Sequence, residues 1–158
     1  VYIKFYTALY KLFIFKKNAM KLYLLFFFCI AFSHAKAQTH EQEIEAVKTI
    51  CNYYLDGGTN GDSLMFSKAF SPGGQMQYMR NDTLIVVSLK DFMAHMPHSL
   101  KKTNRTTKIE SVQVFGNAAT AKLTIEYPTF FFHDIMNLLK TKEGWKIVGK
   151  IFYREIKK

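Results

Sequence analysis

Near the start of the region beyond residue 38, apolar side chains recur with the spacing of an α-helix. The residues concerned are Ile44, Val47, Ile50, Cys51, Tyr54 and Leu55. This period predicts a helix that packs one face against a core. The pair Gly57-Gly58 is expected to end the helix, because glycine is strongly enriched just beyond helix C-termini.

Two shorter helices are predicted further along the chain. Asp62 precedes the sequence SLMFSKAF, and Ser88 precedes LKDFMAHM. Aspartate and serine are favoured N-caps, because their side-chain oxygens accept a hydrogen bond from a free backbone N–H of the first turn. Pro97 is expected to end the third helix, since proline cannot continue it.

Alternating apolar and polar residues predict strands elsewhere. QMQYMR and TLIVVS are expected to form a hairpin that turns at Asn81-Asp82, after a separate turn at SPGG. Four longer strands follow, in two pairs joined at Gly116-Asn117 and at residues 142–144. The last two, TFFFHDIMNLLKT and WKIVGKIFYREI, are apolar on both faces over much of their length, which predicts central strands covered on each side.

This order of elements indicates one α+β domain over residues 38–158. Three helices are interleaved with two short strands, and four long antiparallel strands follow. Helices in such a domain cover one face of a curved sheet.

Residues 20–37 have the pattern of an export signal. One lysine precedes eleven apolar residues, too few for a membrane span of about 20, and a small-x-small cleavage pattern follows. Cleavage is expected near Ala37-Gln38, which would give an exported protein, periplasmic or secreted, without a stable membrane span. Residues 1–19 are interpreted as an over-extended gene start. The alternative is a membrane anchor that uses all of residues 1–32.

The positive charge is concentrated near the N-terminus. The formal net charge of +10 includes six lysines and no acid from residues 1–37, so residues 38–158 carry +4. That charge does not favour nucleic-acid binding, which needs several cations gathered on one face. The basic run that follows the third helix is interpreted as a solvated loop and strand edge; it comprises Lys101, Lys102, Arg105 and Lys108.

Neither a metal site nor a cofactor is predicted. Cys51 is the only cysteine of residues 38–158, so it has no intramolecular partner and is expected in the core. His95 and His98 stand three positions apart, but the expected helix end at Pro97 lies between them. Contacts with helix-terminal carbonyls are therefore favoured over a shared metal.

Several short motifs follow one another in the order of a known family. They are YYLDGGTNGDSLMFSKAFSP, GNAATAK, HDIMNLLK and GWKIVGKIF. With them, the chain resembles the putative lumazine-binding family of the nuclear-transport-factor-2-like superfamily. That superfamily also contains SnoaL-like polyketide cyclases and ketosteroid isomerases. The likeness extends from Glu43 to Glu155.

The resemblance implies a cone-shaped fold, in which a strongly curved antiparallel sheet is wrapped by three N-terminal helices around a pocket. It also implies a homodimer formed through the outer sheet face, where His133 would lie. The superfamily contains enzymes, binding modules and transport adaptors, so the fold alone does not decide the function.

Asp134 is the leading candidate for a functional residue. Side chains alternate along its strand, so Asp134 shares a face with Phe132 and Met136, while His133 points to the other side. His133 and Asp134 therefore cannot act as a pair without a bulge. Three roles stay open for Asp134: a catalytic base, a ligand contact, or a buried carboxylate paired with a hydroxyl or with a lysine such as Lys150.

The expected pocket lining combines aromatic, methionine and charged side chains, which suits adaptable apolar ligands. The predicted ligand-binding residues are Tyr54, Tyr78, Phe132, Asp134, Met136, Trp145 and Lys150. Core packing is the default interpretation for Tyr54 and Tyr78 and the favoured one for Trp145, with a ligand contact as the alternative.

The resulting hypothesis is that the cone binds a small, largely apolar or heterocyclic molecule without catalysis. One alternative is a SnoaL- or ketosteroid-isomerase-like enzyme that transfers a proton through Asp134. A second alternative is a homodimeric interaction module whose cone is filled and holds no ligand.

Overall fold

The computed structural model of the chain describes residues 39–96 and 98–158. Residues Gln42–Lys158 form one compact unit. The signal peptide predicted at residues 20–37 and Pro97 lie outside the described residues. No helix in the described part of the chain is both long enough and apolar enough to cross a bilayer.

The described residues form three helices, as predicted. Helix α1 covers residues 39–60, α2 is Ser63–Lys68 and α3 is Leu89–His95. Both predicted N-caps are confirmed. The Asp62 carboxylate accepts a hydrogen bond from the backbone N–H of Met65, and the Ser88 hydroxyl accepts one from that of Asp91.

The predicted end of α1 at Gly57-Gly58 is wrong, because the helix continues to residue 60. Gly61 follows it with φ +65, a conformation that glycine adopts without steric cost. At Gly57 a side chain is excluded by close packing instead, since a Cβ there would lie 2.7 Å from the Cα of Phe66. Glycine at this position therefore allows α2 to approach α1 closely.

Six strands form one sheet in the order β2-β1-β6-β5-β4-β3. All neighbouring pairs are antiparallel except β1 and β6, which are parallel. This arrangement confirms the α+β class and the curved, mostly antiparallel sheet. The strands are β1 Phe70–Arg80, β2 Thr83–Ser88, β3 Thr106–Phe115, β4 Ala118–Glu126, β5 Phe130–Thr141 and β6 Gly144–Ile156.

The hairpin at Asn81-Asp82 is confirmed, with both residues at positive φ (47° and 61°), as a type I′ turn requires. The prediction of a separate turn at SPGG is wrong, because these residues belong to β1. The register of β1 on β6 shifts between Phe70 and Gln75, so SPGG forms an irregularity within the strand.

The two faces of the sheet differ in burial. The inner face packs on α1, and the core that they share includes Val47, Cys51, Leu55, Met136, Leu138 and Ile147. The opposite face, here called the outer face, leaves Ile135, Ile151 and Tyr153 exposed by 37%, 46% and 67%. The prediction that β5 and β6 are covered on both sides is therefore wrong within the described part of the single chain.

Replacing Gly57 with alanine tests the close approach of α1 and α2. Alanine normally favours a helix over glycine, but here its methyl group would meet the backbone of Phe66. We expect Gly57→Ala to lower the free energy of unfolding by about 1–3 kcal/mol, measured by urea titration with circular dichroism. Gly73→Ala is the control, because no atom lies within 4 Å of a Cβ there. Equal stability of the two variants would contradict this account of Gly57.

Candidate functional site

A cavity of about 620 Å³ lies between the inner face of the sheet and the helices. Its walls are mainly aromatic, with contributions from Phe66, Tyr78, Phe92, Tyr127, Phe132 and Phe152. Methionines complete the apolar surface, and Met96 at the end of α3 is one of them. The predicted pocket is therefore present, and its lining suits a flat or apolar molecule.

Strands β1 and β6 build one wall because they run parallel with their side chains in register. Met76 is the partner of Lys150 in the ladder. Two residues further along, the rings of Tyr78 and Phe152 stack with centroids 4.7 Å apart. Two residues beyond these, Arg80 and Arg154 are both exposed. Since side chains with this period of two share a face, the wall runs from a buried lysine to two exposed arginines.

The base of the cavity contains a buried polar cluster of Tyr54, Asp134 and Lys150. The Tyr54 hydroxyl donates a 2.6 Å hydrogen bond to Asp134 Oδ2. Lys150 Nζ donates a 2.6 Å hydrogen bond to the Tyr54 oxygen and lies 3.0 Å from Asp134 Oδ2. Tyr54 and Lys150 line the cavity, whereas the Asp134 side chain is fully buried and reaches the cavity only through them.

Burial shapes the ionisation of this cluster. The pKa of Tyr54 is raised well above its usual value, mainly by loss of solvation and then by the negative charge of Asp134. The pKa of Lys150 is lowered by burial, although the charge of Asp134 opposes that shift. Asp134 Oδ1 has no hydrogen-bond partner among the described residues. The cluster therefore presents the Tyr54 phenol and the Lys150 side chain to the cavity.

Arg105 is a second polar group at the cavity, and the sequence interpretation missed it. Its side chain is not solvated like that of a loop residue. Three hydrogen bonds of 2.8–2.9 Å join its nitrogens to the Thr59 hydroxyl, the Leu55 carbonyl and the Tyr127 hydroxyl. No periodicity in the basic run distinguishes Arg105 from Lys101 or its other neighbours. Arg105 reaches the cavity because the start of β3 lies beside the end of α1, and this contact cannot be predicted from the local sequence.

The structure brings four of the seven predicted ligand-binding residues to the cavity wall: Tyr54, Tyr78, Phe132 and Lys150. Asp134 lies directly behind two of them. Met136 and Trp145 are instead in the core, 0% and 3% exposed, and do not line the cavity. The Trp145 indole N–H donates to Glu43 Oε2 on α1, which agrees with its favoured interpretation as a packing residue.

The histidines lie apart from the cavity wall. His95 contacts the Asp91 carbonyl at 2.8 Å, and His98 contacts the Ser63 hydroxyl at 3.0 Å. His133 lies on the outer face, as the alternation predicts, and Nε2 is 2.8 Å from a carboxylate oxygen of Glu155 on β6. Its separation from Asp134 onto the opposite face is confirmed.

Breaking the buried pair is expected to cost far more stability than breaking an exposed one. Lys150→Met leaves the Asp134 carboxylate buried without its cation, which should cost about 3–5 kcal/mol in the free energy of unfolding. Lys140→Met is the matched control, because Lys140 pairs with Glu43 at 2.6 Å in a partly exposed position. It should cost at most about 1 kcal/mol.

The double variant Lys150→Met/Asp134→Leu should recover much of the loss, because it removes both charges together. Chemical unfolding of the four proteins measures these differences. If Lys150→Met and Lys140→Met lost the same stability, the buried pair would not have the structural role assigned to it.

Comparison with known proteins agrees with this architecture. Similar solved structures include an NTF2-like protein of unknown function from Shewanella baltica, with TM-score 0.66 and 24% identity over 73% of this chain and 96% of that one. An NTF2-like protein of unknown function from Methylobacillus flagellatus has TM-score 0.63 and 24% identity over 72% and 93%. A ketosteroid isomerase-like protein from Erwinia carotovora atroseptica has TM-score 0.58 and 12% identity over 71% and 95%.

At these identities the structural likeness shows the fold, and the nuclear-transport-factor-2-like architecture is confirmed. A search of curated proteins finds no significant match. Residues 42–153 match the family described as "Putative lumazine-binding". This match covers well over half of the chain, including α2, α3 and almost all of the sheet, so the chain belongs to the putative lumazine-binding family.

Proposed function

We propose that the protein binds a small, largely apolar or heterocyclic molecule in the cone cavity and does not transform it. The observation that carries this proposal is the cavity itself. Its volume of about 620 Å³ falls within the range of ligand sites, roughly 300–1,000 Å³. Its stacked aromatic walls offer flat apolar surfaces, and the family's description names a bicyclic heterocycle.

The buried cluster supports binding rather than catalysis. A general base must reach the proton that it removes, directly or through one water. Asp134 is 1% exposed, and Oδ2 is already engaged by Tyr54 and Lys150. A ligand in the cavity would therefore meet the Tyr54 phenol and the Lys150 side chain before the carboxylate.

Proton transfer by Asp134 is the second candidate function, and its unpartnered Oδ1 is the observation that favours it. An enzyme of this kind would lose turnover in Asp134→Asn under conditions where circular dichroism shows the variant to be folded, because the substitution also removes the anion that pairs with Lys150. A binding protein has no turnover to lose.

Filling the cavity tests the binding proposal. Val87 lines the cavity, so Val87→Trp should place an indole ring inside it. Val86→Trp is the matched control, because the adjacent side chain on β2 points the other way and is 52% exposed. The measurement is a thermal shift across a panel of hydrophobic and heterocyclic compounds that includes lumazine.

We expect compounds that raise the melting temperature of the native protein and of Val86→Trp to have no effect on Val87→Trp. A native protein that responded to no compound in the panel would count against ligand binding. A response that persisted in Val87→Trp would place the ligand outside the cone.

We further propose that the protein acts as a homodimer after export. A groove of about 550 Å³ crosses the outer face, where Met79, Leu84, Ile151 and Tyr153 are exposed apolar residues. A patch of this kind on a single chain is typical of an association surface. The groove also holds both Glu110 and Lys122, so a second copy related by a twofold axis could pair opposite charges across it.

A charge placed in the outer groove should separate the dimer. Ile151→Lys is expected to yield monomers in size-exclusion chromatography with light scattering, because two lysines would be buried near the twofold axis. Leu64→Lys is the control, since Leu64 is 66% exposed on α2 and away from the groove. A native protein that is monomeric at all concentrations tested would overturn the proposed assembly.

A further inference from the structure

The cavity wall carries positive charge and no acidic side chain. Among the described residues, four cations line it, Arg80, Arg105, Lys150 and Arg154, and no aspartate or glutamate does. Only Lys150 has a carboxylate partner among the described residues, and that partner is Asp134 behind the wall. After this pair is discounted, three arginine charges remain without a counter-ion in the described part of the chain.

The cavity wall differs from the rest of the domain in carrying no acid beside its cations. Outside the cavity, some lysines pair with acids at 2.6 Å, as Lys140 does with Glu43 and Lys157 does with Glu126. The chain has 12 acidic residues, yet none of them lines the cavity. A wall that is aromatic and cationic at once favours a ligand with an apolar body and an acidic group.

Arg105 and Lys150 keep donors free at the inner end of the cavity. A guanidinium group has five N–H donors and an ammonium group has three. The three bonds of Arg105 go to uncharged acceptors, so they leave its charge unbalanced and two donors unused. Lys150 uses two donors, one on Tyr54 and one on Asp134.

Arg105 and Lys150 both line the cavity, and their positive charges repel each other. Burial lowers the pKa of Lys150, Asp134 opposes that shift, and the like charge of Arg105 adds to it. An anion between these two cations would relieve their repulsion and accept the unused donors, forming charge-assisted hydrogen bonds.

The two remaining cations stand at the mouth. Arg154 follows Lys150 by four residues on β6, so their Cα atoms are separated by roughly 13 Å at about 3.3 Å per residue. Arg154 lies 4.0 Å from the Phe130 ring centroid, and Arg80 donates a hydrogen bond to the Tyr78 hydroxyl. These aromatic contacts hold both guanidinium groups beside the opening, where their field attracts anions.

We propose that the cone selects aromatic or heterocyclic organic acids, with the acidic group between Arg105 and Lys150 and the ring system against the Tyr78–Phe152 stack. The inference rests on the proposed binding function and specifies the ligand class. The mouth arginines raise the rate of capture, and the inner pair confers the preference for an acid over a neutral compound of the same shape.

Two fluorescent dyes that share one skeleton test this preference. 8-Anilino-1-naphthalenesulfonate carries a negative charge, and N-phenyl-1-naphthylamine is the same ring system without the sulfonate. Fluorescence titration of the full chain should give a dissociation constant at least tenfold lower for the anionic dye. Binding of the anionic dye should weaken with added salt more than that of the neutral dye, because salt screens the arginines at the mouth.

Variants assign the effect to the cavity. The double variant Arg80→Gln/Arg154→Gln changes two exposed positions and should not impair folding. We expect it to lower the affinity for the anionic dye severalfold and to leave the affinity for the neutral dye unchanged. The double variant Lys101→Gln/Lys102→Gln removes the same charge from the exposed loop and should change the affinity for neither dye. Arg105→Gln should lower the affinity for the anionic dye further, and Arg105→Lys should partly restore that affinity.

Three outcomes would overturn the inference. Equal affinity for the two dyes would leave cavity binding intact but remove the preference for acids. An anionic signal that survives in Val87→Trp would place that dye outside the cone. If neither dye bound, the proposed binding function would fail, and the preference for acids would fail with it.

Discussion

The buried contact among Tyr54, Asp134 and Lys150 holds α1 against the sheet, and much of the cone depends on it. The three residues come from α1, β5 and β6, and Tyr54 is 80 positions from Asp134 and 96 from Lys150 along the chain. A buried charge is tolerated only when it is paired and hydrogen-bonded. The helix must therefore stay where its phenol reaches both partners, and this position sets where the cavity ends.

The same contact determines the charge that a ligand would meet. Because Asp134 pairs with Lys150 behind the wall, the acid is withdrawn from the cavity and the cations stay at its surface. Arg105 adds a charge balanced only by uncharged acceptors. Lys150 therefore serves both roles, since it stabilises the buried cluster and also lines the cavity, whereas Asp134 serves only the cluster. The withdrawal of Asp134 from the wall explains how a domain with a modest net charge can hold a cationic interior.

Local patterns in the sequence predicted the elements well where neighbouring residues decide the structure. The N-caps at Asp62 and Ser88, the turn at Asn81-Asp82 and the alternation that turns Asp134 inward all depend on residues within a few positions of each other. The predictions at Gly57-Gly58 and SPGG were wrong for a physical reason. Glycine there serves contacts with distant parts of the chain, which a local pattern cannot distinguish from a helix end or a turn.

The sequence by itself determined the α+β class, the strand pairing around each turn and the facing of Asp134, because these follow from side-chain period and backbone preference. Only the tertiary structure decided which polar groups meet the cavity. It placed Asp134 behind Lys150, put Met136 in the core rather than in the cavity wall, and brought Arg105 to the wall. These outcomes depend on contacts between a helix and six strands whose residues are far apart in the sequence. Such contacts produce no periodic pattern of side chains that a sequence analysis could detect.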